Sequence, residues 1–173
     1  KVSIKYLPSL KSISLITNAI KIDRCIQVVD QLGDLCSKTG KMLDIMVSLD
    51  GVSKTHDNVR GRKGNFKKAE TLIDHILDHQ NVSVSRIGCT FVKENIYDAE
   101  KILQWCIEKG IYARFRLGIR HNRLYNRDDR SSFYLNNDEK YHLANFLDYL
   151  IVNYEKDFQR QNFYISLRNQ IIY

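Results

Sequence analysis

The chain has 173 residues, 43% hydrophobic and 27% charged, with a formal charge of +7. That length suffices for one domain with its own core, and that composition excludes a disordered chain. No apolar run approaches the roughly 18 residues that a membrane span needs, and residues 1–5 carry no signal-peptide pattern.

The chain opens on Lys1 rather than Met, so it is expected to begin inside a longer protein. Cys25, Cys36, Cys89 and Cys106 form no CxxC or CxxxCxxC group, and a metal site made from one segment needs close ligand spacing. Four reduced, mostly buried thiols in a cytoplasmic protein are expected. His75 and His79 stand four apart at helical spacing, which could hold a metal. With no third ligand evident nearby, surface histidines are the preferred reading. Lys and Arg are spread along the sequence, densest at Arg114, Arg116, Arg120, Arg123, Arg127 and Arg130. A solvated surface with some ion pairs is the simplest account. Nucleic acid is the weaker reading, because no RNP, KH or zinc-finger pattern is present.

In chain order, residues 12–17 (SISLIT) read as a short strand. Residues 22–38 carry apolar positions at Ile22, Cys25, Ile26, Val29, Leu32 and Leu35, a helical period that Gly40 closes. Residues 43–49 (LDIMVSL) read as a second strand, followed by a Gly-containing loop. Asn65 is expected to cap a helix over 66–79 that turns Ala69, Leu72, Ile73, Ile76 and Leu77 inward. A third strand is expected over 82–92, a helix over 97–109 stopped by Gly110, and a fourth strand over 112–119. A polar loop over 120–136 leads to helices over 137–154 and 157–172. Strands alternating with helices at this spacing give an α/β fold of βα units with parallel strands. Nothing divides the 173 residues into separate domains. Four strands are too few for a closed eight-stranded barrel, so they form a small open sheet or the later part of a larger open barrel.

In such folds ligands bind at the carboxyl ends of strands. Ser48, Asp50 and Gly51 end the second strand; His56, Asp57, Arg60 and Gly61 follow closely. Alternation puts Ser48 and Asp50 on the face of Met46, opposite Val47 and Leu49. Small polar groups there suit sugar hydroxyls, although Asp50-Gly51 also reads as a plain turn signal. Thr17 and Asn18 occupy the equivalent place after the first strand, and Asn95 follows the third. Arg60 can clamp a carboxylate, or pair with Asp57 or Asp50 to hold its loop. The Gly61–Gly64 segment lacks the phosphate-loop pattern GxxxxGK[ST]. On the fourth strand Arg114 and Arg116 share one face and Phe115 and Leu117 the other. Two arginines facing a barrel interior need acidic partners or an anionic ligand, unless the strand lies at an edge.

Thr17-Asn18-Ala19, Val47-Ser48-Leu49-Asp50-Gly51, His56-Asp57-Asn58-Val59-Arg60-Gly61, Gly64-Asn65-Phe66 and Phe91-Val92-Lys93-Glu94-Asn95 follow one another in order. This set resembles the radical S-adenosylmethionine (radical SAM) superfamily, most closely the branch with peptide- and sulfatase-maturing enzymes. There the pattern runs TNG, SLDG, H-D-x-x-R-G, G-x-F and a later V-x-x-x-N. The resemblance spans residues 13–119 and implies a partial (β/α)6 TIM-like barrel, with 12–17 as its third strand and 112–119 as its sixth. It implies a 4Fe–4S cluster on a CxxxCxxC loop that cleaves S-adenosylmethionine to a 5′-deoxyadenosyl radical, which abstracts hydrogen from a substrate. A peptide or protein is the expected substrate class, with no nucleic acid and no membrane as partner. By resemblance, Thr17, Asn18, Ser48, Asp50, Arg60 and Asn95 form part of the S-adenosylmethionine-binding wall: Ser48 at the ribose or methionine part, Arg60 near the methionine carboxylate, Asn95 near the cofactor.

Ala19 replaces the glycine of TNG, so a different turn is expected there. The CxxxCxxC loop and the Gly-Gly-Glu-Pro segment of the family are absent from these residues. The cluster ligands are therefore expected upstream, and this chain alone is expected to be inactive. The alternative from another class is a non-catalytic α/β binding module, a degenerate relative without the cluster. A basic RNA-binding domain is a third reading and rests only on the arginines between 114 and 130.

Overall fold

The structure, a computed structural model, describes Leu7 and residues 9–119 and 133–172. Four strands, β1 (Ser12–Thr17), β2 (Met42–Ser48), β3 (Val84–Phe91) and β4 (Tyr112–Leu117), form one parallel sheet in the order β1-β2-β3-β4. Helix α1 (Ile22–Thr39) links β1 to β2. Helices α2 (Lys54–Arg60) and α3 (Asn65–Asp78) link β2 to β3. A 3-10 helix (Lys93–Asp98) and α4 (Ala99–Glu108) link β3 to β4. Helix α5 (Asn137–Tyr149), a π-turn (Leu150–Tyr154) and α6 (Phe158–Ile172) follow. This is the alternating βα order expected from the sequence, and sequential parallel strands are what a partial TIM-like barrel requires.

The strands divide their side chains cleanly. Odd-numbered positions face the helices: Leu43, Ile45 and Val47 of β2, Ile87, Cys89 and Phe91 of β3, and Ala113 and Phe115 of β4 are buried. They pack with Ala69, Leu72, Ile73 and Ile76 of α3, Ile102 and Cys106 of α4, and Leu143, Phe146 and Leu147 of α5. Phe91 stacks on Phe115 at 5.4 Å between centroids, and Phe146 meets both edge-on. The even-numbered positions form a second, largely polar face. Register aligns Ser14 with Asp44, Met46 with Arg86 and Tyr112, and Ser48 with Gly88 and Arg114. Asp44 there accepts from Ser14 Oγ (3.1 Å) and takes the Arg86 guanidinium in a two-pronged pair (3.0 and 2.6 Å).

The segment after β2 departs from the expected loop, because Lys54–Arg60 is helical. Gly51 lets the chain turn sharply into it: a Cβ at Gly51 would stand 2.7 Å from the backbone nitrogen of His56. Asn65 is also not a cap. It is the first residue of α3, with Gly64 before it in the left-handed conformation. The capping is done from a distance by Asp57, which accepts from the backbone N–H of Gly64 and Phe66. Helix α5 begins on a capping box: Asn136 Oδ1 accepts from Glu139 N (2.8 Å) and the Glu139 carboxylate accepts from Asn136 N (2.7 Å). Most of the expected polar loop, residues 120–132, lies outside the described residues, as do Arg120, Arg123, Arg127, Arg130 and His121.

At the outer edge of β4 two backbone donors are covered. Tyr154 Oη accepts from Ala113 N (2.9 Å) and Tyr164 Oη from Phe115 N (3.3 Å). C-terminal segments thus cover part of the β4 edge, while among the described residues β1 has one strand neighbour.

Candidate functional site

The carboxyl ends of β1, β2 and β3 are tied together by a buried polar network centred on Asp50. Its N–H donates to His56 Nδ1 (3.0 Å), and its Oδ1 accepts from Thr90 N (2.8 Å). Its Oδ2 lies 2.5 Å from Arg60 Nε, an ion pair. Asn95 Nδ2 donates to the carbonyls of Asp50 (2.9 Å) and Thr90 (3.0 Å), while Asn95 Oδ1 accepts from Val92 N (2.8 Å). His56 Nε2 meets the Asn65 side-chain amide at 2.8 Å, and that amide donates to the carbonyl of Asn18 (3.2 Å). Asp50, His56, Asn65 and Asn95 are all buried. One continuous chain of polar contacts therefore runs from Asn18 after β1 through β2 to Asn95 after β3. Of the two roles open to Arg60, pairing with Asp50 is the one observed, and its side chain stays 30% exposed.

The electrostatics follow from burial. Burial pushes the His56 imidazole below its ordinary pKa, against the opposing pull of Asp50. Its Nδ1 faces a backbone N–H, which only an unprotonated nitrogen can accept. Partial burial raises the Asp57 carboxyl, but the N–H groups of Phe66 and Gly64 outweigh it and hold the pKa below the usual value.

The other expected residues sit around this network differently. Ser48 is half-buried on the even-numbered face, and its hydroxyl makes no hydrogen bond among the described residues. Asn18 is exposed. Thr17 lies on the helix side, where Oγ1 accepts from Ala19 N (3.2 Å) and contacts Cys25 Sγ (3.4 Å). Ala19 takes φ +55°, so the turn keeps the left-handed backbone that glycine favours although alanine occupies it. Sequence alone does not mark His56 and Asn65 as network members. Their only signal in the sequence was their place in the H-D-x-x-R-G and G-x-F segments.

The cysteines do not suit an iron–sulfur cluster. All four are free; Cys36, Cys89 and Cys106 are buried. Burial raises the Cys36 and Cys89 thiols and pushes Cys106 up to about 12, which disfavours the thiolate that a metal requires. Among the described residues, the group of three potential metal donors is Asp30, His75 and His79. Asp30 thus supplies the third donor that spacing did not reveal. It already meets His75 Nε2 at 2.7 Å and His79 Nε2 at 3.4 Å, while His79 Nδ1 accepts from Asn81 N.

No protein-family model matches the chain. Over 105 residues it is 30% identical to the sporulation killing factor maturation protein SkfB of Bacillus subtilis (strain 168). The chain is similar to a maturation protein. The match covers 61% of this chain and 25% of that protein, so the chain spans about a quarter of the length of the curated relative it matches. No helix among the described residues is long and apolar enough to cross a membrane.

Proposed function

We propose that these residues are part of a radical SAM enzyme that matures a peptide, and that they supply part of its S-adenosylmethionine-binding wall. The observation that carries this reading is the convergence of the ordered motif residues at one end of a parallel sheet. The likeness to a maturation protein agrees with it, since the resembled branch contains peptide-maturing enzymes.

In this proposal Ser48 offers a free hydroxyl to the ribose or methionine part, and Asn18 adds an exposed amide. Arg60 presents its guanidinium to the methionine carboxylate while Asp50 fixes its direction. Asn95 holds the ends of β2 and β3 together, and Thr17 shapes the turn that presents Asn18. S-adenosylmethionine, when bound, supplies the 5′-deoxyadenosyl group for hydrogen abstraction. The four cysteines here do not fit a cluster, so its ligands are assigned to another segment of a longer protein. That lack also favours the second reading, a binding module without the cluster.

Calorimetry of S-adenosylmethionine binding to the full-length protein tests the wall. Ser48→Ala with Arg60→Met should weaken affinity by at least about tenfold, the loss of roughly 1.4 kcal/mol. Unchanged affinity would remove the assignment.

A further inference from the structure

Among the described residues, the even-numbered face of β4 carries Arg114 and Arg116 without a salt-bridge partner. Arg86 on β3 is matched by Asp44. Arg114, Arg116 and Arg160 form no salt bridge among the described residues, whereas Arg60, Arg86 and Arg168 each do. The Arg114 Nε is sealed from solvent without a hydrogen-bond partner, which is costly for a charged donor. Burial, then the like charges of Arg86 and Arg160, lower the Arg114 pKa. Between β4 and α6 lies a cleft of about 510 Å³ lined by Arg114, Phe115, Arg116, Arg160, Phe163 and Tyr164. Among the described residues no carboxylate lines it. The nearby Glu155 is engaged by Tyr112 Oη and by Asp157 N. Arg160 lies over the Tyr112 ring at 4.8 Å, and against burial, Tyr112, Glu155 and Asp157 raise its pKa without forming a salt bridge among the described residues.

We propose that this cleft binds an oxyanion, a carboxylate or a phosphate, carried by a small molecule or a peptide. Arg114 and Arg160 grip the anion, since a guanidinium matches two oxygens at once. Arg116 adds charge at the exposed rim, and the half-exposed Phe163 ring takes the apolar part that bears the anion. A cleft of side-chain size suits such a ligand better than a polynucleotide, which needs a long exposed track. The inference stands without the radical SAM reading. Where that reading also holds, the two sites share a layer. Arg114 aligns with Ser48 through Gly88, two strand spacings or about 10 Å away. The anion then belongs to the substrate, not to S-adenosylmethionine.

Thermal unfolding of the full-length protein tests this, in potassium phosphate and in potassium acetate against potassium chloride at equal ionic strength. A saturable rise in Tm with phosphate or acetate, absent in chloride, is expected; the stronger of the two names the oxyanion. Arg114→Met and, separately, Arg160→Gln should each weaken the apparent affinity at least tenfold, so either variant suffices if the other does not fold. Arg168→Gln, whose guanidinium pairs with Asp148, should keep it. Equal stabilisation by chloride, or full affinity in both variants, would overturn the proposal. So would tight, steeply salt-dependent binding of single-stranded RNA that phosphate does not compete with and Arg114→Met does not weaken.

Discussion

At the scale of single residues, His56 decides how the strand ends hold together. Its ring is buried among donors and stays neutral in the fold, with a pKa below the ordinary value. In the unfolded chain the same ring titrates near 6.5. Between that value and the lower folded one, the unfolded state binds more protons, so stability is full above about pH 6.5 and falls as pH drops through this window. Urea midpoints measured from pH 8 to pH 5 should decline below about 6.5, and His56→Gln should flatten that part of the profile. A midpoint in the parent protein independent of pH there would contradict the role given to His56. The sequence showed Ser48, Asp50, Arg60 and Asn95 as polar residues at strand ends, and it held the Arg60–Asp50 pair open as an alternative. It did not show that Asp50 turns inward while Ser48 stays open. Strand alternation ends at Ser48, and the direction of Asp50 is set by contacts 6 to 45 residues away, to His56, Arg60, Thr90 and Asn95.

Among the elements, strands and long helices were legible because their periodicity is strong. β1 has the expected bounds, and α1 extends one residue beyond its own. Helix α2 was read as a loop for a physical reason. Lys-Thr-His-Asp-Asn-Val-Arg is rich in poor helix formers and too short to be stable alone. Tertiary contacts stabilise it, with His56 buried beneath Asp50 and Asp57 bonded to the start of α3. The edge of β4 is a second tertiary device. Tyr164 is buried, and its phenol is raised to about 12, first by burial, so it stays a neutral hydroxyl that accepts the Phe115 N–H. Tyr164→Phe leaves that buried N–H unsatisfied and should cost about 1–3 kcal/mol in chemical denaturation. A loss below about 0.3 kcal/mol would mean that water replaces the hydroxyl.

The whole molecule is asymmetric. Among the described residues, one edge of the sheet is partly covered by α6 and the π-turn, the other is an unpaired strand, and one face is apolar and helix-covered while the opposite face is polar. A parallel sheet is ordinarily covered on both faces. The β1 edge, unpaired among the described residues, and the exposed Ile16 on it, 67% accessible, make a pairing template. The isolated chain should therefore self-associate in sedimentation experiments, and Ile16→Lys should shift it toward monomer. A monodisperse monomer of high Tm would contradict this. Such an asymmetric sheet also suits a partial barrel that is completed by further strands at β1. The likeness to a maturation protein four times the length of the matched part is consistent with that.

The central claim is that these residues form one wall of a radical SAM site. Anaerobic iron–sulfur reconstitution of the full-length protein, followed by incubation with reductant and S-adenosylmethionine, tests it most directly. The expected result is the visible absorbance of a 4Fe–4S cluster and formation of 5′-deoxyadenosine, with the rate reduced in Ser48→Ala at limiting S-adenosylmethionine. A full-length protein that takes up no cluster and cleaves no S-adenosylmethionine would contradict it.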